Sequence, residues 1–500
     1  MHRFVKTTAL GLGLAIGATA TAATAGDFDG FYLGGYASGD FFTNPNTYGF
    51  GAQAGYLYEF TPGGYAGFEA DAYFPSGSAN IYTGAARLGY DFGSPFMAYA
   101  KIGAGADQTG TRLWTIGGGG QYDIGNGASL RLGMVPLVDA APLIVARDKG
   151  FFAREGLEVQ LSVEASWASI RDKVVAGLLD GAQMLAPMPI AATLGIDAVG
   201  VPMVTAMMLS LNGNAVAVSE AMYQELGLVA CEPVAAGQAL RALLERDRAQ
   251  GRRKRVFAHV FPFSAHHYEL RYWLAASGID PDRPLRLEVV PPPLMVKALR
   301  DGRIDACCVG APWGAAAESA SAGYRLLSSH QIWNNSPEKV FAVTRDWAQR
   351  HPNTHRAVVA ALLRSCQWLD RPEHRMEAAQ LLIDSGSVDA PPATLRAALD
   401  ASAGEAPQRG RLVFHAGAAN FPWITHAVWF IEQMRRWRQI DDEVDALSVA
   451  AAVYRTDIHR DAARRLGMPV PDEDGKSEGH HDRPWMLRTQ TGDIAMGSDR

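Results

Sequence analysis

Between Phe31 and about Ile124, apolar and polar residues alternate with a period of two, the spacing of strands whose faces meet different surroundings. Phe50, Ala52, Ala54, Tyr56, Tyr58 and Phe60 alternate with Gly51, Gln53, Gly55 and Glu59. Phe68, Ala70, Ala72 and Phe74 alternate with Glu69 and Asp71, and Tyr82, Ala86, Leu88, Tyr90 and Phe92 with Thr83, Arg87 and Asp91. Two more strands follow at Phe96 to Ile102 and Trp114 to Ile124, and with the stretch that opens at Phe31 this half predicts six strands and almost no helix. From Leu130 the period changes. Short apolar runs now alternate with helical stretches, the pattern of an α/β domain built on parallel strands. The change falls inside Ser129-Leu130-Arg131-Leu132-Gly133, residues that can close the last strand of the first half or open the first strand of the second.

The second half contains a repeat. Lys173 to Pro189 and Lys297 to Trp313 both run from a helix that ends at a glycine (Gly177, Gly302), through an aspartate three residues later (Asp180, Asp305), into an apolar strand and then a proline (Pro187, Pro312). Glycine suits a left-handed helix exit and proline suits a first helical turn. The repeat therefore predicts two similar lobes, with both proline-headed turns facing a shared cleft beyond the strand ends. Pro142 is expected to start a helix, Gly150 to end it, and Ser166 to cap a helix carrying Trp167, Ile170 and Val174. The region from His355 onward reads as mostly helical, with Trp423, Ala427, Phe430 and Met434 on one core-facing stripe.

Residues 1–25 carry Arg3 and Lys6, then the apolar run Ala9 to Ala20, then Ala23-Thr24-Ala25, the arrangement of a secretory signal peptide. Residues 471–500 are polar with scattered Gly and Pro and are expected to be a disordered tail, which includes His480-His481. In 500 residues the formal net charge is −6, so no global basic field exists for direct nucleic-acid binding, and any anion site must be local. Cys231, Cys307, Cys308 and Cys366 are too few for a disulfide scaffold and lack metal-ligand spacing. No metal or cofactor is expected. Gly-x-Ser-x-Gly and His-Glu-x-x-His are absent, and Gly117 to Gly120 lack the Lys of a phosphate loop, so the sequence gives no ground for an enzyme.

The first half, about 26–127, resembles small outer-membrane β-barrel proteins in composition, though truncated, since the smallest such barrels have eight strands. A soluble β-sandwich is the alternative. In the second half, Leu132-Gly133-Met134-Val135-Pro136-Leu137-Val138-Asp139, Glu164-Ala165-Ser166-Trp167, Met184-Leu185-Ala186-Pro187-Met188-Pro189, Leu270-Arg271-Tyr272-Trp273, Pro337-Glu338-Lys339 and Phe414-His415-Ala416-Gly417 resemble the nitrate-binding proteins of ABC-type nitrate transporters and the related nitrate and nitrite sensors. The resemblance implies an α/β fold of the two-lobed periplasmic-binding-protein kind (type II) over 130–470, preceded by an incomplete antiparallel β-barrel over 26–129. It suggests fusion of two genes.

By the same resemblance, nitrate or nitrite would be held by Trp167, Asn214, His266 and Lys339, with the backbone at Val309 and Gly310 closing one side. Nitrate only accepts hydrogen bonds, so the pocket needs donors and positive charge but no base. Asn214 departs from the family's usual glutamine. In bicarbonate-binding relatives an acidic residue replaces the lysine, so Lys339 favours nitrate or nitrite. Implied partners are an ABC permease and ATPase, or an RNA-binding antiterminator for a sensor, with the outer membrane a further partner of the N-terminal strands. Location follows as periplasm or outer membrane, or the cytoplasm if the N-terminal segment is not part of the working protein. The competing reading is an outer-membrane structural or anchoring protein with the α/β half as passenger.

Overall fold

The structure is a computed structural model and describes residues 16–18, 30–39, 48–61, 63–75, 79–91, 96–122, 128–196, 200–228, 232–333, 335–400, 411–476, 485–488 and 493–496. The chain divides into two compact units, Met1–Ser129 with Glu155–Glu158, and Leu130–Arg154 with Val159–Arg500.

In the first unit, strands β1 (Ile16–Ala18), β2 (Gly30–Gly39), β3 (Tyr48–Thr61), β4 (Gly64–Pro75), β5 (Ile81–Tyr90), β6 (Phe96–Asp107) and β7 (Arg112–Tyr122) form one antiparallel sheet in sequence order. The six strands expected after residue 26 are β2 to β7. Short β1 lies inside the segment expected as a signal peptide, where Ile16 pairs with Gly35; the rest of residues 1–25 lie outside the described residues. Among the described residues, no strand pairing joins β7 back to the first strand.

Its two faces reverse the usual preference. Phe50, Tyr58, Phe60, Phe68, Trp114 and Ile116 are all more than half exposed, with Trp114 at 79%. On the opposite face Glu69 and Arg87 are fully buried and pair at 2.8 Å, Lys101 reaches Glu69 and, at 3.1 Å, Asp71, and the Arg87 guanidinium lies 3.4 Å from the centre of the Tyr99 ring. Buried charges need such partners. Apolar surface has therefore been left outside and charge enclosed.

The second unit holds two five-stranded sheets. Lobe one is built on β8 (Ala128–Met134), β9 (Leu157–Val163), β10 (Gly181–Leu185), β11 (Met203–Leu211) and β17 (Pro337–Thr344), ordered β11-β17-β10-β8-β9. Lobe two is built on β12 (Asn214–Ser219), β13 (Arg255–His259), β14 (Leu285–Val289), β15 (Ala306–Gly310) and β16 (Gly323–Ser328), ordered β14-β13-β15-β12-β16. The ambiguous segment 129–133 thus opens the first α/β strand. Continuous buried runs such as Met203–Leu211 and Ala306–Gly310 show why these strands lack alternation: both faces are covered.

The repeat has a physical meaning in this architecture. Gly177 and Gly302 exit their helices at φ +69° and +66°. In lobe one the Asp180 carboxylate accepts from the Arg131 N–H at 2.8 Å, and in lobe two the Asp305 carboxylate accepts from the Val256 N–H at 2.8 Å. Each repeated aspartate ties the start of its own strand to the parallel strand beside it. Pro187 and Pro312 precede the helices Met188–Leu194 and Trp313–Ser319, as expected.

Among the described residues the chain passes between the lobes at Asn212 and Gly213, and again at Asn335 and Ser336. Asn212 and Asn335 sit at φ +61° and +54°, conformations that asparagine tolerates better than most residues. They touch: the Asn212 amide donates to Asn335 Oδ1 at 3.3 Å, and the Asn212 N–H donates to the Ser336 carbonyl at 2.9 Å. Helices from Pro352–Leu369 through Thr456–Arg465 pack mainly on lobe one, where Ser365 Oγ donates to the Pro142 carbonyl and the Tyr454 hydroxyl to the Ala186 carbonyl. The expected stripe holds, with Ala427, Phe430 and Met434 buried on the helix Ile424–Arg436.

Within 471–500, expected as a disordered tail, β18 (Trp485–Arg488) and β19 (Asp493–Met496) pair antiparallel. Phe92, Ile124, Cys231 and His480-His481 lie outside the described residues. Among the described residues no helix is long and apolar enough to cross a membrane.

Candidate functional site

The candidate residues gather where the lobes meet. Leu185, the last residue of β10, pairs with Lys339 of β17, and Gly310, the last residue of β15, pairs with Asn214 of β12. Lys339 and Asn214 are thus equivalent positions in the two sheets, both at strand ends facing the other lobe. Lobe-to-lobe hydrogen bonds close the gap around them. The Val138 N–H donates to the Ala311 carbonyl at 3.0 Å, and Trp313 Nε1 donates to the Pro136 carbonyl at 3.3 Å.

From lobe one comes Trp167, the first residue of the helix Trp167–Val175, whose cap Ser166 accepts from the Ser169 N–H at 3.2 Å. Trp167 is buried, its Nε1 has no hydrogen-bond partner, and its ring centre lies 5.3 Å from Lys339 Nζ. The Lys339 side chain is fully enclosed. Its Nζ sits 3.0 Å from Asp139 Oδ2 and also contacts Glu338 Oε1. Asp139 is steadied from the other side by Gln183, whose Nε2 donates at 2.5 Å while its Oε1 accepts from the Val135 N–H.

From lobe two comes the helix Ala265–Ala276, capped by Ser264, which brings His266 and Glu269 inward, both fully buried. The His266 Nδ1 lies 3.4 Å from Glu338 Oε1. Asn214 Nδ2 donates to Glu338 Oε2 at 2.5 Å and, more weakly, to Glu269 Oε2 at 3.4 Å, while its Oδ1 has no partner. A β-carbon added to Gly310 would lie 3.5 Å from Asn214 Oδ1 and 3.6 Å from His266 Nε2, so the bare glycine keeps open the space between them. Val309 is buried one position earlier on the same strand, on the opposite face from the position Gly310 leaves open. All six expected residues are brought to this interface, Val309 by its backbone.

Sequence reasoning missed the carboxyl groups. Asp139, Glu269 and Glu338 are buried within the same cluster, facing a single lysine. Lys339, expected to supply the positive charge for the anion, is also engaged by two carboxylates. The missed signal was available, since each is the one acidic residue of a largely apolar stretch, in Leu137 to Ile144, Tyr268 to Leu274 and Pro337 to Val343. An acid buried there must find a partner or keep its proton.

Burial works to discharge Lys339, but Asp139 and Glu338 outweigh it and hold the ammonium above its ordinary range. Burial raises the Asp139 and Glu338 carboxyls despite the attraction of Lys339. Burial, reinforced by Glu338, pushes Glu269 up to about 8. His266 is held well below its usual value by burial, then by Lys339 and His259. At neutral pH the imidazole is therefore neutral, and part of the acidic cluster carries protons. The unpartnered N–H of Trp167, the neutral His266 ring and the enclosed ammonium, with no side chain at Gly310 between Asn214 and His266, suit a small oxyanion. Cys307 and Cys308 are adjacent on β15, both buried, with thiols pushed upward by burial, Cys307 to about 12. Among the described residues no group of His, Cys, Asp and Glu is arranged to hold a metal.

Comparisons with known proteins agree with this architecture. The profile of the NMT1-like family matches residues 125–383. The nitrate import ATP-binding protein NrtC of Synechocystis is 37% identical over 365 residues, covering 71% of this chain and 52% of that protein. The chain thus spans about half the length of the first such relatives. The bicarbonate-binding protein CmpA of Synechococcus is 32% identical over 365 residues, covering 69% of this chain and 80% of that one. The crystal structure of the periplasmic nitrate-binding protein NrtA from Synechocystis superimposes with a TM-score of 0.65 at 28% identity, covering 70% of this chain and 93% of that one. Nitrate and bicarbonate proteins are about equally similar overall, so only the site can separate them. With the family profile spanning more than half of its residues and the two-lobed fold shared with NrtA, the chain belongs to the NMT1-like family.

Proposed function

We propose that residues 130–470 form a non-catalytic binding protein for nitrate or nitrite, serving an ABC-type importer or acting as its sensor paralogue. The observation that carries this reading is the enclosed Lys339 ammonium at the lobe interface, within reach of Trp167 and beside the space over Gly310. An ammonium there favours an anion, and the unpartnered N–H of Trp167 and the His266 ring supply donors that a planar oxyanion can fill. Trp167, Asn214, His266, Lys339 and the backbone at Val309 and Gly310 are the proposed ligand contacts.

The names of the relatives support an ATP-binding protein as partner and an exported, periplasmic location; the importer reading adds a permease as partner and residues 1–25 as the export signal. A sensor would instead engage an RNA-binding antiterminator, and would then work in the cytoplasm. Titration calorimetry of the full chain with nitrate, nitrite and bicarbonate tests the reading. Micromolar nitrate or nitrite binding that is abolished in Lys339→Glu supports it. Binding of bicarbonate alone, or of none of the three, refutes it.

A second reading concerns the N-terminal unit. The exposed aromatic face of β3 to β7, opposite a buried ion cluster, suits a sheet that meets lipid and anchors the chain at the outer membrane. A full chain that stays in the aqueous phase in detergent partitioning refutes it.

A further inference from the structure

Asp139, Glu338 and Lys339 from lobe one meet Glu269, His266 and Asn214 from lobe two, all enclosed. With Glu269 keeping its proton near neutral pH, as its burial beside Glu338 dictates, and His266 neutral, Asp139, Glu338 and Lys339 give the cluster two negative charges and one positive, a net −1. Adding a monovalent oxyanion would leave −2 out of contact with water, a cost that the few donors present offset poorly. Protons must accompany the anion. Resting on the anion-binding reading above, we propose that the site takes up its oxyanion together with a proton, and that Glu338 is the residue that carries it.

Geometry singles out Glu338. One of its oxygens shares Lys339 with Asp139, and the other shares the Asn214 amide with Glu269, so Glu338 lies between two other acids. An oxyanion that engages the Lys339 ammonium takes away the cation on which ionised Glu338 depends. Asp139 keeps the Gln183 amide as a second donor, but Glu338 is left with the Asn214 amide it shares. A proton on Glu338 also sets the imidazole. Oε1 then donates toward His266 Nδ1, 3.4 Å away, and neutral His266 must carry its own hydrogen on Nε2, the nitrogen beside the space over Gly310. One proton thus removes a charge and aims a donor at the ligand.

The groups facing this cluster from other elements act in the same direction. Beyond burial, Lys339 and His259 on β13 both oppose a charge on His266, and Cys308 on β15 is held protonated by burial, then by Glu269 and Glu338. Burial, despite Lys339 and with Asp139 adding to it, raises the Glu338 carboxyl.

Calorimetry of the full chain with nitrate and nitrite at pH 6, 7 and 8, in two buffers of unlike ionisation enthalpy, tests the coupling. The expected result is an observed heat that depends on the buffer, equivalent to about one proton taken up per anion. The Kd should rise about tenfold per pH unit where the cluster has lost that proton, as linkage requires. In Glu338→Gln, a neutral side chain that still offers a donor to His266, binding should become independent of both pH and buffer. A merely structural role would weaken binding at every pH and leave the proton count unchanged. Anion binding with the same heat in both buffers and a flat affinity from pH 6 to 8 overturns the coupling alone. No heat with either anion at any pH overturns the anion reading with it. The wild-type comparison decides the matter even if the variant fails to fold.

Discussion

Lys339 Nζ and Asp139 Oδ2 lie 3.0 Å apart with both side chains enclosed, one at the start of β17 and the other just beyond the end of β8. Lys339→Met leaves two buried acids without their cation. The expected cost is about 3–5 kcal/mol, the range for breaking a buried pair by removing one partner. Denaturant unfolding of the variant checks it, and nitrate binding should be lost as well.

Glu269, raised to about 8 from an ordinary 4.5, gives the fold a pH dependence of definite sign. The folded state holds this proton more tightly than the unfolded chain. Its contribution is complete below about 4.5 and is lost as pH rises through about 8. Urea midpoints should therefore fall between pH 5 and pH 8, and Glu269→Gln should flatten that decline. A wild-type midpoint that rises across this range would contradict the assignment.

Gly310→Ala separates binding from folding. The added methyl would make ordinary contacts, 3.4 Å to Leu137 and 3.5 Å to Asn214 Oδ1, so stability should change by less than about 1 kcal/mol. The methyl would nevertheless occupy the space between Asn214 and His266. Nitrate affinity should fall about tenfold, equal to about 1.4 kcal/mol, read by calorimetry beside a thermal melt.

The two repeated aspartates should differ in weight. Asp305 serves the buried Val256 N–H and two guanidinium nitrogens of Arg253, whereas Asp180 serves the more exposed Arg131 N–H and Trp347 Nε1. Asp305→Ala is expected to cost about 2–3 kcal/mol and Asp180→Ala about 1 kcal/mol, the difference between stranding a buried donor and an accessible one. Urea unfolding of both variants gives the comparison.

Much of this was legible from the residues. Two-residue alternation placed β3 to β7, because a sheet with unlike faces writes its period into the sequence. The repeated Gly, Asp and Pro marked equivalent turns in both lobes, since each position has a backbone requirement that few residues meet. The proposed contacts came from motifs, and their convergence required distant segments such as Trp167 and Lys339 to be folded together. What was not legible was the acidic half of the cluster. Reasoning from the anion outward searches for donors, and nothing local in Asp139, Glu269 or Glu338 announces that three acids share one lysine. Nor could alternation alone tell which face of the first sheet is enclosed: the spacing of Phe68 and Glu69 is the same whichever points inward.

The strand that carries Lys339 is also an interior member of its sheet, flanked by β10 and β11, although it follows the whole of lobe two in the chain. As the polypeptide emerges from the ribosome, β8 to β11 appear first but cannot assemble across the gap that β17 will fill. Lobe two is synthesised next, with all five of its strands consecutive, and can finish its sheet while lobe one waits. Completion of lobe one and arrival of the lysine are then a single event, so no partly made chain can hold a finished first lobe without its buried ammonium.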